Sequence, residues 1–114
     1  MKRVFICFPL GNDVENLIIQ IKRYVLYALK CGMAPVVPHF YIWVFHHKEP
    51  DEWENAKQAG KSLLWVCDEI WVFGEQMTRE MEQEICISKN LNLPIKYIGA
   101  VSYTHLTLPT NSLV

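Results

Sequence analysis

No apolar run in this chain approaches the ~20 residues a membrane-crossing helix needs. The apolar stretch behind Lys2-Arg3 is cut short at Pro9, too early for a secretory signal, so the cytoplasm is the expected compartment. Charge of one sign is missing as well. Eleven lysines and arginines face twelve aspartates and glutamates, which leaves no basic footprint for nucleic acid. Cysteine is present but never as Cys-x-x-Cys: Cys7, Cys31, Cys67 and Cys86 are far apart, each in or beside an apolar element. That spacing argues against a metal ribbon or a disulfide framework and for buried, reduced thiols, with Cys7 singled out by its place at the mouth of the first strand. His46-His47 with His39 have no companion acids in a metal-ligand pattern. Neither Gly-x-Gly-x-x-Gly nor a Walker motif occurs, so no dinucleotide fingerprint and no cofactor is expected. There are no internal repeats.

What is present is a chain of 114 residues, 51% of them apolar, enough for one globular domain with a single core. Lys2 to Phe8 reads as a buried strand ended by Pro9 and Gly11. Asp13 is an N-cap for a helix to about Lys30, with Val14, Leu17, Ile18, Ile21, Val25, Ala28 and Leu29 as its apolar positions and Gly32 as its stop. Ala34 to Val37 makes a second strand. An aromatic stretch, 40–47, follows; aromatics suit a subunit interface as well as a base, so a homo-oligomer is expected. Asp51-Glu52 opens a second helix with Trp53, Ala56, Gly60, Leu63, Leu64 and Cys67 facing inward. Glu69 to Phe73, Thr78 to Asn90 and Pro94 to Ile98 read as strand, helix and strand. This alternation predicts an α/β three-layer sandwich on a parallel four-stranded sheet, flavodoxin-like or Rossmann-like, in strand order 2-1-3-4. The domain is expected over 1–100. The run from Val101 to Val114 lacks helical period and the charge of the preceding chain, and is expected to be a non-native, adapter-like tail rather than a fifth strand or a swapped arm.

The most informative segment is Phe73-Gly74-Glu75-Gln76-Met77-Thr78-Arg79-Glu80-Met81-Glu82-Gln83-Glu84-Ile85. An apolar strand stops at a glycine and a helix begins whose first two turns carry three glutamates. Ligands of open α/β sheets sit beyond the carboxyl ends of the strands, where helix N-termini favour ionised carboxylates. Helical geometry puts Glu84 on the border of the face shared by Met81, Ile85 and Ser88, with Glu80 further round and Glu82 on the opposite flank. Glu84 is thus the carboxylate placed at a crevice. A nucleophile, a ribose clamp and a solvated surface group all remain open for it.

Val4-Phe5-Ile6-Cys7-x-Pro9-x-Gly11, Pro35-Val36-Val37-Pro38-His39, Cys67-Asp68-Glu69-Ile70-Trp71-Val72-Phe73-Gly74 and Met81-x-x-Glu84-Ile85 occur in order from Met1 to about Ile98. Together they resemble small proteins of unknown function, frequent in phages and prophages, that are similar to nucleoside 2-deoxyribosyltransferases. The resemblance implies a pocket for a nucleoside or nucleotide at the carboxyl ends of the first three strands. Its candidate lining is Cys7, Phe8, Pro9, Gly11, His39, Tyr41, Gly74, Thr78, Met81 and Glu84. In the transferases a glutamate on this helix attacks the anomeric carbon while a second acid protonates the departing base, the logic of retaining glycosidases. Glu84 matches that nucleophile.

The departures are specific. Gly60 and Thr78 stand where the transferases carry aspartates, Phe8 where relatives have a small residue, and Glu80 where they have glycine. Asp68 sits at the amino end of its strand, away from the crevice, and is expected to bond local backbone N–H groups. Three functions follow: a nucleoside- or nucleotide-binding protein that no longer transfers, an N-glycoside hydrolase or transferase using Glu84, or a protein-interaction module. The two missing acids favour the first over the second.

Overall fold

The structure, a computed structural model, describes residues 1–10, 14–38 and 50–99. Four strands, β1 (Arg3–Cys7), β2 (Ala34–Val36), β3 (Glu69–Phe73) and β4 (Ile95–Gly99), form one all-parallel sheet in the order β2-β1-β3-β4. The helices are α1 (Val14–Lys30), α2 (Pro50–Ser62) and α3 (Arg79–Asn90), and a 3-10 turn, Leu63–Val66, continues α2. The expected fold class, sheet and strand order are those observed.

The two central strands are apolar on both faces, as a strand covered on both sides must be. Val4, Ile6 and Phe8 with Trp71 and Phe73 point to α1, where Leu17, Ile21, Tyr24 and Ala28 meet them. Phe5 and Cys7 with Ile70 and Val72 point the other way, to Leu64, Met81 and Ile85. Three layers result: α1, the sheet, and the layer of α2 and α3. Among the described residues no helix is long and apolar enough to cross a membrane.

The buried stripe of α1 is rotated from the expected one. Tyr24 is buried, whereas Ile18 and Leu29 are exposed together with Ile19 and Leu26. Aromatic packing decides this: Tyr24 stacks on Phe73 at 4.4 Å between ring centroids and takes Phe8 edge-on at 5.1 Å. The helix ends as expected at Gly32, whose φ of 76° lets Met33 N–H reach Ala28 C=O and Gly32 N–H reach Leu29 C=O. Asn92, at φ 59°, repeats the same device after α3, through Leu93 N–H to Ser88 C=O and Asn92 N–H to Lys89 C=O.

At the amino end of the sheet Asp68 Oδ2 accepts from Arg3 N–H at 2.7 Å, and Asp68 N–H returns to Arg3 C=O at 2.8 Å. The expected backbone bond is therefore made, but to the neighbouring strand rather than locally, so it fixes the register of β1 against β3. Glu69 was expected only as a strand opening, yet it is buried. It accepts from Trp71 Nε1 at 2.6 Å and pairs with Lys96 at 3.5 Å. The expectation of buried thiols holds for Cys7 and Cys67, whereas Cys31 is only partly buried and Cys86 is exposed. The aromatic stretch at 40–47, from which self-association is expected, and the segment after Gly99 lie outside the described residues.

Candidate functional site

Strand order reverses between β1 and β3, which pair in parallel from Val4↔Glu69 to Cys7↔Val72. Crevices of open α/β sheets form beyond the carboxyl ends of such a pair. A cavity of about 120 Å³ lies there, on the side of α2 and α3. The ends of β1 and β2 contribute Phe8, Leu10 and Pro38; α2 contributes Ala56, Lys57, Gly60 and Lys61; the start of α3 contributes Thr78, Glu80 and Glu84.

Glu84 is the central group. Its side chain lines the cavity although the residue is only 7% exposed, far less than the crevice-edge position its helical phase suggests. Thr78 fixes the start of α3, its Oγ1 accepting from Met81 N–H at 3.3 Å, and Met81 and Ile85 anchor the helix in the core. These contacts hold Glu84 over β1, where Oε1 accepts from the Cys7 thiol at 3.3 Å. Burial pushes the Glu84 carboxyl up to about 7; the Cys7 bond and Lys61 pull it down and Glu80 pushes it up, all more weakly than burial. The Cys7 thiol is driven far above its ordinary value by burial first, then by the Glu84 charge and their hydrogen bond. Cys7 is consequently a thiol that donates a hydrogen bond to the carboxylate, not a thiolate nucleophile.

Beside Glu84, two ammonium groups face one carboxylate. Lys57 Nζ lies 3.8 Å from Glu80 Oε1, and Lys61 Nζ lies 3.1 Å from Glu80 Oε2. Lys57 also pairs with Glu54 at 3.3 Å, and Lys61 donates to Gln83 Oε1. Both lysine side chains are largely buried, at 21% and 14% exposure, against 42% for Glu80.

The two acid-lacking positions have structural reasons. A Cβ on Gly60 would lie 2.8 Å from Pro38 Cβ, so α2 rests directly on the end of β2 and has no room for an aspartate. Thr78 is occupied as the α3 cap. Among the described residues, Glu80 is the other carboxylate lining the cavity, and both lysines engage it.

The structure divides the expected ligand-binding set. Phe8, Thr78 and Glu84 line the cavity, and Cys7 lies behind Glu84. Met81 is a core residue, 1% exposed and not part of the lining. Pro9 and Gly74 line a different cavity, of about 370 Å³, on the α1 side with Gln20, Arg23 and Tyr24. Phe8 is the partition: it faces the first cavity and packs on Tyr24, which faces the second. Gly11, His39 and Tyr41 lie outside the described residues. Lys57 and Lys61 are the residues the sequence reading missed. A signal existed, because lysines four apart follow the small residues Ala56 and Gly60, so the helix face that approaches the sheet carries its charges along one edge. Among the described residues no group of three or more His, Cys, Asp and Glu is placed to hold a metal.

The chain belongs to the family described as a domain of unknown function, DUF7768, whose model matches residues 2–98, a span that includes every described residue of both cavities. No curated protein matches it.

Proposed function

We propose that this DUF7768 domain binds a nucleoside or nucleotide in the cavity between α2 and α3, without cleaving it. The observation that carries the reading is Glu84, a buried carboxyl at a strand switch point with one side-chain hydrogen-bond partner, Cys7, among the described residues. A carboxylate has room for several donors, so acceptor capacity is left for ligand hydroxyls. A space of about 120 Å³ is close to that of a cavity that takes a six-membered ring, so it suits a pentose with the base toward the mouth. Binding rather than cleavage is supported by the want of an acid for the leaving base at the two positions where the transferases carry one: Gly60 has no space for it, and Thr78 is a cap.

Calorimetry against nucleosides and their 5′-monophosphates, with chromatography of the same mixtures for released base, tests this. A hydrogen bond from a sugar hydroxyl to a charged acceptor contributes about 1.5–3 kcal/mol, so Glu84→Gln weakens the ligand by about one to two powers of ten. No base appears with either form. Base released by the wild type and not by Glu84→Gln would replace binding with hydrolysis through a glycosyl-carboxylate intermediate.

A further inference from the structure

We infer that Lys57 and Lys61 form a phosphate subsite in this cavity, and that Glu80 occupies it as an internal counter-anion when no ligand is bound. The inference rests on the nucleoside-or-nucleotide reading above and selects the nucleotide, a phosphomonoester, as the ligand class.

The geometry is that of an anion already in place. The two oxygens of Glu80 are met by two separate ammonium groups, Oε1 by Lys57 and Oε2 by Lys61. A phosphomonoester offers the same pair of oxygens with a further charge, and lysine binds phosphate as a point charge. The lysines are fixed by their helix: four residues apart on α2, they project from one face toward the cavity. Their largely buried side chains pre-position them. Glu80 is the partner free to leave by comparison. It is the most exposed of the three, and on release its carboxylate regains water at little cost. Glu54 does not hold the subsite closed, because it pairs only with Lys57 and is 63% exposed.

Charge supports the exchange. With Glu80 in place the two ammonium groups share its one carboxylate, the exposed Glu54 reaches Lys57 as well, and Glu84 is the other acidic neighbour on the lining. A phosphate dianion in place of Glu80 brings one more negative charge to the pair, of which Lys61 has no second carboxylate in ion-pair contact among the described residues. Glu80 thus keeps the subsite from anions that cannot displace it and yields it to one that does, which is selection by a built-in competitor. Two surface lysines with a shared carboxylate are ordinarily a solvated ion-pair cluster. Here the cluster lines a cavity that also contains the buried Glu84, and that distinguishes it.

The full chain is titrated with adenosine, guanosine, cytidine and uridine, with their 5′-monophosphates, and with inorganic phosphate. The wild type binds at least one monophosphate ten or more times tighter than its nucleoside. Lys61→Gln reduces that ratio to near one by weakening the monophosphate, and Lys61→Arg retains most of it. Glu80→Gln moves the other way, tightening the monophosphate several-fold and widening its ratio to the nucleoside. Raising salt narrows the wild-type ratio. A nucleoside bound as tightly as its monophosphate, or a monophosphate weakened by Glu80→Gln, overturns the phosphate subsite while the nucleoside reading stands. Inorganic phosphate bound in a Lys61-dependent way with no nucleoside or nucleotide bound supports the subsite and removes the nucleoside reading. Binding of none of these overturns both.

Discussion

At the scale of single residues, Glu84 sets the protein a stability problem whose sign can be worked out. Its folded-state value of about 7 lies above the ordinary 4.5 because burial disfavours the charged form. The folded chain therefore holds the Glu84 proton more tightly than the unfolded chain. Its contribution is fully present below about pH 4.5 and is lost as pH rises through 7, by a few kcal/mol in all. Cys7, Lys61, Lys57 and Glu80 are the ionisable groups around it; the Cys7 thiol stays protonated throughout this range, and the lysine–Glu80 cluster is common to wild type and variant. Glu84→Gln keeps an oxygen to accept from Cys7 and abolishes the charge. Its melting temperature is expected to exceed that of the wild type at pH 8 and to converge with it near pH 4.5. A parallel pair of melting curves across that range would mean that Glu84 is solvated and has no special role. Gly60 gives a second test. Gly60→Ala puts a methyl group 2.8 Å from Pro38 Cβ, so α2 or the end of β2 has to move. A loss of about 1–3 kcal/mol is expected for such overpacking, measured by denaturant titration.

At the scale of elements, most of the architecture was legible because it is written in short-range patterns. β1 and β3 are apolar at consecutive positions, which only a strand covered on both faces tolerates, and Pro9, Gly32 and Gly74 mark where elements end. The phase of α1 was less legible. Ile18 and Leu29 are as apolar as the residues that won, and only the tertiary fit of the Tyr24 ring between Phe8 and Phe73 selects the stripe. The helix that carries Glu84 was placed well because Thr78 is a strong N-cap residue. Thr78→Ala should cost about 1 kcal/mol of stability, and by loosening the first turn it should lower ligand affinity through Glu80 and Glu84 without either being changed. Equal affinity in the two proteins, with the expected loss of stability, would separate the cap from the site. The two-cavity arrangement was not legible. Phe8, Pro9 and Gly74 are neighbours in sequence or register, and which side of the sheet each faces depends on a strand ending at Cys7 and on the turn after Phe73.

At the scale of the whole molecule, the sheet has a strong middle and weak edges, and the site hangs on the middle. β1 and β3 lie in the centre of the order β2-β1-β3-β4, pair over four positions, and are clasped at their amino ends by Asp68 and Arg3. Each of the two apolar clusters takes side chains from both strands. β2 is a three-residue edge with partly exposed residues, and Pro35 has no N–H to give. β4 is the other edge, with Lys96 and Tyr97 exposed and its register to β3 shifted between Val72 and Phe73. Opening free energies should follow this gradient, because edge strands lose fewer buried contacts on separating than central ones do. Native-state amide exchange is therefore expected to be slowest along the β1–β3 pairing, close to the global unfolding limit, whereas the Ile70 N–H, which donates to Pro94 C=O beside β4, follows that edge. Exchange should be faster at Val36 and along β4. Cys7 belongs to the slow centre, and Glu84 is bonded to it, so one wall of the cavity is rigid while Pro38, at the end of β2, belongs to the weaker edge. Ligand in the cavity should then slow exchange most in β2 and the first turn of α3, where opening is cheapest, and hardly at all in β1 and β3. Uniform protection across all four strands would instead mean that the ligand acts on global stability alone, and that the edge next to the cavity does not open independently.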